Sequence, residues 1–338
     1  EMKIKLYFEN EKAIAKSGIG KALQHQKKAL TLNNIDYTTD HRCRDFDVLH
    51  VNTVWLASYL EVKKAKRHGK AIVYHAHSTV EDFRNSFAFS NLLIPFYRRW
   101  LMKMYGYGDC IATPTAYSKS LLESYGLKQP IFAISNGIDV EHFAYDEKKI
   151  QAFRDYFSLK SEDKVIISVG WLFERKGFDT FCEVASQMPD YKFIWFGDKN
   201  LSMPTATIRH WIDNKPDNLI LPGYISGDVI TGAYLDCDVF FFPSREETEG
   251  IVVLEALAAK CPVLVRDIGV YDGWLMDKEN CYKGNDTKDF VQILELMLHN
   301  QLPDLKEAGY KTALSRGFKA IGEQLQSVYA LALSKKES

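Results

Sequence analysis

Short apolar segments alternate with helical patterns along the whole chain, and this alternation constrains the fold more than any other feature. In Lys3–Glu9 apolar and polar residues alternate, which predicts a first strand. The runs Val48–Val51, Ala71–Tyr74 and Val239–Phe242, which are apolar except for His50, predict short buried strands, and helical spacing follows between them. Strands that alternate with helices form parallel sheets covered on both faces. The sequence therefore predicts an α/β fold.

The length of 338 residues exceeds that of one typical hydrophobic core, so we expect two domains. Residues 1–157 carry 23 Lys/Arg and 17 Asp/Glu, whereas residues 158–338 carry 20 and 27. Opposite net charges in the two halves suggest different partners, and a basic half could face anionic lipid. Uneven surface charge without a function is the alternative.

Several protein classes are disfavoured by the sequence. The six cysteines show no paired or metal-ligand spacing, no apolar run reaches membrane-spanning length, and the sequence opens without a signal-peptide pattern. We therefore expect a reduced, cytoplasmic protein. His75 and His77 are two residues apart at a strand end, but no carboxylate or cysteine cluster accompanies them, so we predict no metal site.

One strand, loop and helix form a candidate ligand site. Pro243 closes the apolar run Val239–Phe242, a polar loop follows, and helical spacing begins near Gly250. In an open α/β sheet, ligands bind beyond the carboxyl ends of the strands, and a helix N-terminus offers free N–H groups to phosphate. Glu247 in the loop and Glu255 in the helix are good acceptors for sugar hydroxyls. This combination predicts a sugar-nucleotide site; an acidic loop before an ordinary helix is the alternative.

Glu247 and Glu255 are separated by seven residues and flanked by Phe-Phe-Pro-Ser and Leu-Glu-Ala-Leu. This pattern resembles the Glu-x7-Glu motif of retaining glycosyltransferases in the large glycosyltransferase family 4. The resemblance implies the GT-B fold, with two doubly wound Rossmann-like domains facing across a cleft. It implies an N-terminal acceptor- and membrane-facing domain over 1–157, a sugar-nucleotide domain over 158–317, and a C-terminal helix over 318–338 that packs back on the first domain.

Four further motifs resemble those of bacterial membrane glycolipid synthases: Arg175-Lys176-Gly177, Trp195-Phe196-Gly197, Phe240-Phe241-Phe242-Pro243 and Val265-Arg266-Asp267. The opening segments Tyr7-Phe8-Glu9 and Ser17-Gly18-Ile19-Gly20 resemble the diglycosyl-diacylglycerol synthases, which add the second sugar to a monoglycosyl diacylglycerol. The resemblance implies transfer of glucose or galactose from a UDP-sugar to a membrane glycolipid such as monoglycosyl diacylglycerol, with retention and without a metal or other cofactor. The alternatives are a transferase acting on a polysaccharide, protein or small molecule, a sugar-nucleotide epimerase, and a non-catalytic partner subunit of the same fold.

Arg175 and Lys176 lie at the start of a helix that follows a strand and a loop, where cations can neutralise a diphosphate. We expect Lys176 at the surface, and a solvated pair of charges is the alternative to a phosphate site. The family usually has Gly-Arg-Leu where this chain has Gly170-Trp171-Leu172. Either Arg175 replaces the missing arginine, or Lys176 acts with fewer partners.

The same resemblance assigns the remaining donor contacts. Glu247 would hold the sugar hydroxyls, Glu255 the ribose, and His77 the sugar from the other domain. His75 is the alternate, and a histidine satisfied by neighbouring backbone is the plain interpretation. The other residues expected at the donor site are Gly18, Gly20, Gly170, Gly197, Tyr224, Glu249, Gly250, Ile251 and Val252.

The segment Leu92–Tyr107 has the composition of an interfacial helix. Its apolar stripe consists of Leu93, Tyr97, Trp100, Leu101 and Met104, flanked by Arg98, Arg99 and Lys103. Aromatic and aliphatic side chains beside basic ones are typical of helices that lie on a membrane. We therefore expect binding to an anionic membrane surface through residues 92–107, a peripheral location on the inner face of the cell membrane, and no nucleic-acid partner. A helix packed on its own domain is the alternative.

Overall fold

The computed structural model describes residues 2–84, 86, 88–198 and 203–337, the last of these without its side chain. It contains two six-stranded parallel sheets with connecting helices, so the predicted α/β fold with two Rossmann-like domains is confirmed. The chain divides into two compact units: the first comprises Glu1–Phe83, Leu92–Ile138 and Arg316–Ser338, and the second Arg84–Asn91 and Asp139–Ser315.

Each sheet is built from six consecutive strands of the chain. In the first unit these are β1 Lys3–Tyr7, β2 Asp36–Thr38, β3 Val48–Val51, β4 Ala71–His75, β5 Cys110–Thr113 and β6 Ile131–Ala133, in the order β2-β1-β3-β4-β5-β6. In the second they are β7 Val165–Val169, β8 Lys192–Phe196, β9 Leu219–Gly223, β10 Val239–Phe242, β11 Val263–Arg266 and β12 Tyr282–Gly284, in the order β12-β11-β10-β7-β8-β9.

Helices connect these strands. Those up to the start of the second sheet are α1 Glu11–Ile14, α2 Gly18–Leu32, α3 Leu56–Arg67, α4 Val80–Phe83, α5 Ser90–Tyr105, α6 Ala116–Ser124 and α7 Glu147–Tyr156. The later ones are α8 Phe178–Gln187, α9 Ala206–Asp213, α10 Asp228–Asp236, α11 Ile251–Ala258, α12 Thr287–Leu298, α13 Lys306–Leu314 and α14 Phe318–Glu337.

The core of the first unit joins the beginning and the end of the sequence. Leu23 and Leu30 on α2 are buried in the same cluster as Leu325 and Tyr329 on α14. The Asn33 side chain, just after α2, donates hydrogen bonds to the carbonyl oxygens of Ala29 and of Phe318. The terminal helix α14 is therefore part of the first unit.

The second unit begins earlier than the boundary expected after residue 157. Helix α7 lies against α10, where a Cβ atom on Gly232 would stand 1.9 Å from the carbonyl oxygen of Lys149. The Arg154 guanidinium also pairs with Asp236, at 2.8 Å. These contacts hold α7 against the second unit, so the division falls after Ile138.

Parallel pairing in the second sheet determines where its loops meet. Strands β7 and β10 are neighbours, with Ile166 opposite Val239 and Ile167 opposite Phe240. Because both strands run in the same direction, the loops that follow them emerge at the same edge of the sheet. The loops that carry Lys176 and Glu247 therefore lie at this edge.

Candidate active site

The loop after β10 leads into the N-terminus of α11. Gly250 caps this helix with φ of 95°, a left-handed conformation that favours glycine. The first N–H group to bond within the helix is that of Val253, which donates to the carbonyl oxygen of Gly250. The amide groups of Ile251 and Val252 precede it, so they belong to the helix turn that can donate to a bound anion. The predicted helix start near Gly250 is confirmed.

A lysine from the loop after β7 pairs with a glutamate from the loop after β10. Lys176 Nζ lies 2.5 Å from Glu247 Oε1, and Ser244 Oγ donates to the same oxygen at 2.8 Å. The exposed fractions of the Lys176 and Glu247 side chains are 16% and 8%. The expectation that Lys176 is surface-placed is therefore wrong: the lysine is half-buried against a buried carboxylate.

Arg175 belongs to the same cluster but is held differently. Its Nη1 lies 4.0 Å from Glu247 Oε1 and donates to the carbonyl oxygen of Glu246 at 3.2 Å. At the position where an arginine was expected, the Trp171 ring is stacked near Phe173, with ring centroids 6.1 Å apart. The structure therefore places two cations, Arg175 and Lys176, on one side of Glu247.

The charges in this cluster determine the protonation of Glu247. Burial alone would raise the pKa of this carboxyl group, but the charges of Lys176 and then Arg175, with hydrogen bonds from Lys176 and Ser244, hold it below its usual value. Glu247 is therefore ionised at neutral pH, and it keeps two cations in place beside the α11 N-terminus. Such a preorganised group can stabilise negative charge that develops on a leaving diphosphate.

The second glutamate of the motif lies inside α11. Glu255 is buried, and its Oε2 accepts a hydrogen bond from the Tyr234 hydroxyl at 2.7 Å. Burial, together with the charge of Glu255, raises the pKa of Tyr234 well above its ordinary value, so the phenol remains a hydrogen-bond donor. Glu249, in the loop, is also buried. The two glutamates of the motif thus have different partners, a cation for Glu247 and a phenol for Glu255.

Glycines allow the backbone of two neighbouring strand ends to approach closely. A Cβ atom on Gly197 would stand 1.8 Å from the carbonyl oxygen of Gly170, and a Cβ on Gly170 would stand 3.7 Å from the Lys176 side chain. The carbonyl oxygen of Gly170 also accepts a hydrogen bond from Trp195 Nε1. Tyr224 follows β9 and is 46% exposed. Gly170 therefore lies beside the lysine of the ion pair, and Gly197 packs directly against Gly170.

The remaining predicted residues lie in the first unit. Gly18 begins α2 and is exposed, whereas Gly20 is buried where a Cβ would stand 2.2 Å from the carbonyl oxygen of Ile14. His77 follows β4 and is half-buried, and its Nε2 lies 2.7 Å from Asn52 Oδ1. His75 is fully buried at the end of β4.

Sequence reasoning missed several groups around these residues. Ser244 and Tyr234 bond to the two glutamates of the motif, and the Tyr271 hydroxyl is buried without a hydrogen-bond partner within the described part of the chain. Asn52 bonds to His77 from a neighbouring strand end. A polar residue directly after an apolar strand is a weak signal that could have singled out Ser244 and Asn52.

The predicted membrane stripe on α5 faces largely inwards. Leu101 and Met104 are fully buried, and Tyr97 and Trp100 pack partly against the same core, so only Leu93 of the stripe is exposed. Two large apolar side chains of α5 outside the predicted stripe, Leu92 and Phe96, are exposed together with Leu93. Within residues 2–84, 86, 88–198 and 203–337, no helix has the length and apolarity to cross a membrane, and no group of His, Cys, Asp and Glu side chains could hold a metal ion.

Comparison with known proteins connects this site to an enzyme family. Residues 34–142 match the family model described as Glycosyltransferase Family 4, and residues 149–313 match the model described as Glycosyl transferases group 1. The chain is 47% identical over 329 residues to the processive diacylglycerol alpha-glucosyltransferase of Acholeplasma laidlawii, covering 97% of this chain and 98% of that one. It is 26% identical to the alpha-galactosylglucosyldiacylglycerol synthase of Streptococcus pneumoniae over 77% of this chain and 71% of that one.

A solved structure supports the fold. The Anabaena protein HepE, determined in complex with UDP and glucose, superposes with a TM-score of 0.78 at 15% identity, covering 98% of this chain and all of that chain. At that identity the likeness shows the GT-B fold alone. The near full-length relative at 47% identity, with the two matching family models, shows that the chain, which has this GT-B fold, belongs to glycosyltransferase family 4.

Proposed function

We propose that this chain transfers a hexosyl group from a UDP-sugar to a diacylglycerol-based glycolipid, with retention at the anomeric carbon. The observation that carries the proposal is the cluster of Lys176, Arg175 and Glu247 beside the N-terminus of α11. Cations and free amide groups suit a diphosphate leaving group, and a buried carboxylate suits sugar hydroxyls. The 47% identical relative is named for diacylglycerol and alpha-glucosyl transfer, which supports this acceptor class and retention.

In the proposed reaction the chain's own groups position and stabilise rather than form covalent bonds. Lys176, Arg175 and the amides of Ile251 and Val252 would stabilise the charge that grows on the diphosphate as the glycosidic bond breaks. Glu247 would accept hydrogen bonds from the sugar hydroxyls, and Glu255 would accept those of the ribose. The acceptor hydroxyl would attack on the face from which the diphosphate leaves, and a phosphate oxygen would take its proton.

A lipid acceptor requires contact with a membrane, and we propose α5 and α3 as the contact surface. Leu92 and Phe96 are 72% and 71% exposed one turn apart on α5, and Leu56 and Leu60 are 65% and 59% exposed one turn apart on α3. The Trp100 indole of α5 donates to the carbonyl oxygen of Val54, next to the start of α3, so the two exposed apolar faces belong to neighbouring elements of the first unit.

Basic residues accompany both faces. Arg98, Arg99 and Lys103 are exposed on α5. A cavity of about 460 Å³ beside α3 is lined by Tyr59, Leu60, Lys63, Lys64, Arg67 and His68. Each basic residue near an anionic surface contributes about 1 kcal/mol, so three contribute roughly 3 kcal/mol, or about a hundredfold in membrane partitioning, weakened by salt.

The activity is tested by incubating the protein with radiolabelled UDP-glucose or UDP-galactose in mixed micelles. The micelles contain either diacylglycerol, monoglycosyl diacylglycerol or no lipid, and the products are separated by chromatography. Labelled glycolipid of retained configuration supports the proposal. Conversion of the donor without any acceptor would favour an epimerase, and no turnover with any donor would favour a partner subunit.

The membrane surface is tested with the combined variant Arg98→Glu, Arg99→Glu and Lys103→Glu. We expect it to lose binding to anionic vesicles at low salt and to keep transfer to a short-chain acceptor in solution. A matched control places the same charge change on exposed lysines of the second unit, Lys160→Glu, Lys288→Glu and Lys311→Glu. Equal binding of the α5 variant and the wild type would contradict the surface.

A further inference from the structure

A chain of hydrogen-bonded side chains lies beneath His77 in the first unit. His77 Nε2 is 2.7 Å from Asn52 Oδ1, and Gln26 Nε2 donates to the same oxygen at 2.8 Å. Gln26 Nε2 is also 3.2 Å from His75 Nδ1, whose ring is stacked on that of His77 with centroids 4.3 Å apart. Gln26, Asn52 and His75 are each at most 3% exposed.

The chain continues to the terminal helix. His50 Nε2 lies 3.0 Å from His75 Nδ1, and His50 Nδ1 lies 2.7 Å from the Tyr329 hydroxyl on α14. Burial lowers the pKa of His50 and of His77 to about 3, and it lowers the pKa of His75 well below its ordinary value. The three imidazole rings are therefore neutral at physiological pH.

The neutral state of the His77 ring and its contact with the Asn52 carbonyl oxygen together determine which ring nitrogen of His77 carries the proton. In the orientation of the Asn52 amide seen here, Oδ1 faces both Gln26 Nε2 and His77 Nε2, and because Oδ1 is an acceptor only, His77 Nε2 carries the proton that forms the 2.7 Å hydrogen bond. The Nδ1 atom of a neutral ring with a protonated Nε2 has a free lone pair. Gln26 in turn orients Asn52, because its amide N–H group donates to the same oxygen.

We propose that Asn52 is a positioning residue for His77, and that it holds the imidazole as the tautomer whose Nδ1 accepts a hydroxyl hydrogen of a sugar substrate. The inference rests on the proposed function, which makes the substrate a sugar, and on the role in sugar binding that the family resemblance implies for His77. A supporting residue that fixes the tautomer and the ring orientation of a histidine is the arrangement found around histidines that bind metals or act in catalysis. Gln26 in turn holds the Asn52 side chain in place through its hydrogen bond to Asn52 Oδ1.

The first test is a double-mutant cycle on the turnover number. We expect Asn52→Ala to lower kcat at least tenfold and to change UDP affinity, measured by calorimetry, less than twofold. His77→Ala should lower kcat by a similar or larger factor, and the combined variant should be no worse than His77→Ala alone, because Asn52 would act only through that ring. Should Asn52→Ala fail to fold, Asn52→Ser takes its place.

The second test uses Asn52→Asp and a pH profile. A carboxylate beside His77 raises the pKa of the imidazole, so this variant should lose activity as pH falls through the new pKa and regain it as pH rises. The wild type should show no such loss between pH 5.5 and 8.5, since the pKa of His77 is about 3. A merely structural defect would not depend on pH in this way.

Matched controls separate the outcomes. Asn33→Ala removes side-chain hydrogen bonds to Ala29 and Phe318 in the same unit, so it should lower stability and leave kcat unchanged. Independent, additive effects of Asn52→Ala and His77→Ala, or a pH profile of Asn52→Asp that matches the wild type, would overturn the inference and leave the proposed function intact. Full activity of His77→Ala would overturn the inference together with the role of His77, whereas absence of wild-type turnover would refute the proposed function itself.

Discussion

Replacing Lys176 by methionine tests the ion pair on which the proposed reaction depends. Methionine keeps a long unbranched side chain but removes the ammonium group that lies 2.5 Å from Glu247 Oε1. The carboxylate would remain buried, with Ser244 as a donor and with Arg175 Nη1 at 4.0 Å. The variant therefore removes the nearer of the two cations and leaves the negative charge of Glu247 that this cation neutralises.

This geometry predicts a loss of unfolding free energy and a loss of turnover. Removing one partner of a buried ion pair costs about 3–5 kcal/mol, and we expect about 3 kcal/mol because Arg175 remains nearby. Turnover should fall at least tenfold, or about 1.4 kcal/mol of transition-state stabilisation, because Lys176 would also stabilise the leaving diphosphate. As a control, Lys164→Met breaks the more exposed pair with Asp238 and should cost at most about 1 kcal/mol without changing turnover.

The loss of stability should depend on pH with a definite sign. In the wild type the pKa of Glu247 is below its unfolded value, so its contribution is present above the unfolded pKa and is lost as pH falls through the folded pKa. Without Lys176, burial dominates and raises the folded pKa of Glu247. Protonation then relieves the unpaired charge, so the difference in unfolding free energy between Lys176→Met and wild type should shrink from pH 7.5 to pH 4.5.

Urea unfolding at several pH values, together with the transfer assay, measures both effects. A variant that is destabilised but turns over at the wild-type rate would make Lys176 a structural partner of Glu247 only. A variant that is as stable as wild type at pH 7.5 would show that the buried carboxylate does not need this lysine. Either result would refute the reasoning.

Three further predictions concern the second unit. Glu247→Gln should reduce transfer at least tenfold while UDP affinity, measured by calorimetry, is nearly kept; equal losses in both would place Glu247 on the nucleotide. Gly197→Ala should prevent folding or lower the melting temperature steeply, since its Cβ would stand 1.8 Å from the carbonyl oxygen of Gly170; an unchanged melting temperature would contradict this. Tyr234→Phe should lower stability by about 1.5 kcal/mol, because Glu255 loses a hydrogen bond of 2.7 Å; chemical denaturation measures the loss, and none would show that the bond is dispensable.

The parts of the site that the sequence could predict are those fixed by topology. An alternating order of strands and helices leaves little choice but parallel sheets, and in such sheets the loops after β7 and β10 meet at one edge. Lys176 and Glu247 are far apart in sequence, yet each follows a recognisable strand, so their proximity was foreseeable. The helix start at Gly250 could be placed because the helical spacing of apolar residues begins directly after it.

Side-chain surroundings were less predictable, because periodicity shows that a helix has an apolar face but not what covers it. In α5 the stripe that ends in Leu101 and Met104 packs on its own unit, and the exposed apolar residues include Leu92 and Phe96 beside it. The hydrogen bond that His77 donates to Asn52 joins two strand ends that only the three-dimensional register brings together. The early start of the second unit depends on α7 contacts that leave no local pattern.

The place of α14 in the first unit has a consequence for synthesis on the ribosome. Phe318, Ile321 and Leu325 complete the hydrophobic core that begins with Ile4 and Leu6, so this core lacks one wall until the segment around residue 332 has emerged. Residues 139–315, in contrast, form nearly all of the second unit as one continuous stretch. We therefore expect the second unit to fold while the polypeptide is still attached, and the half that is translated first to become native last. During that interval we expect the apolar surface of the first half to be accessible to chaperones.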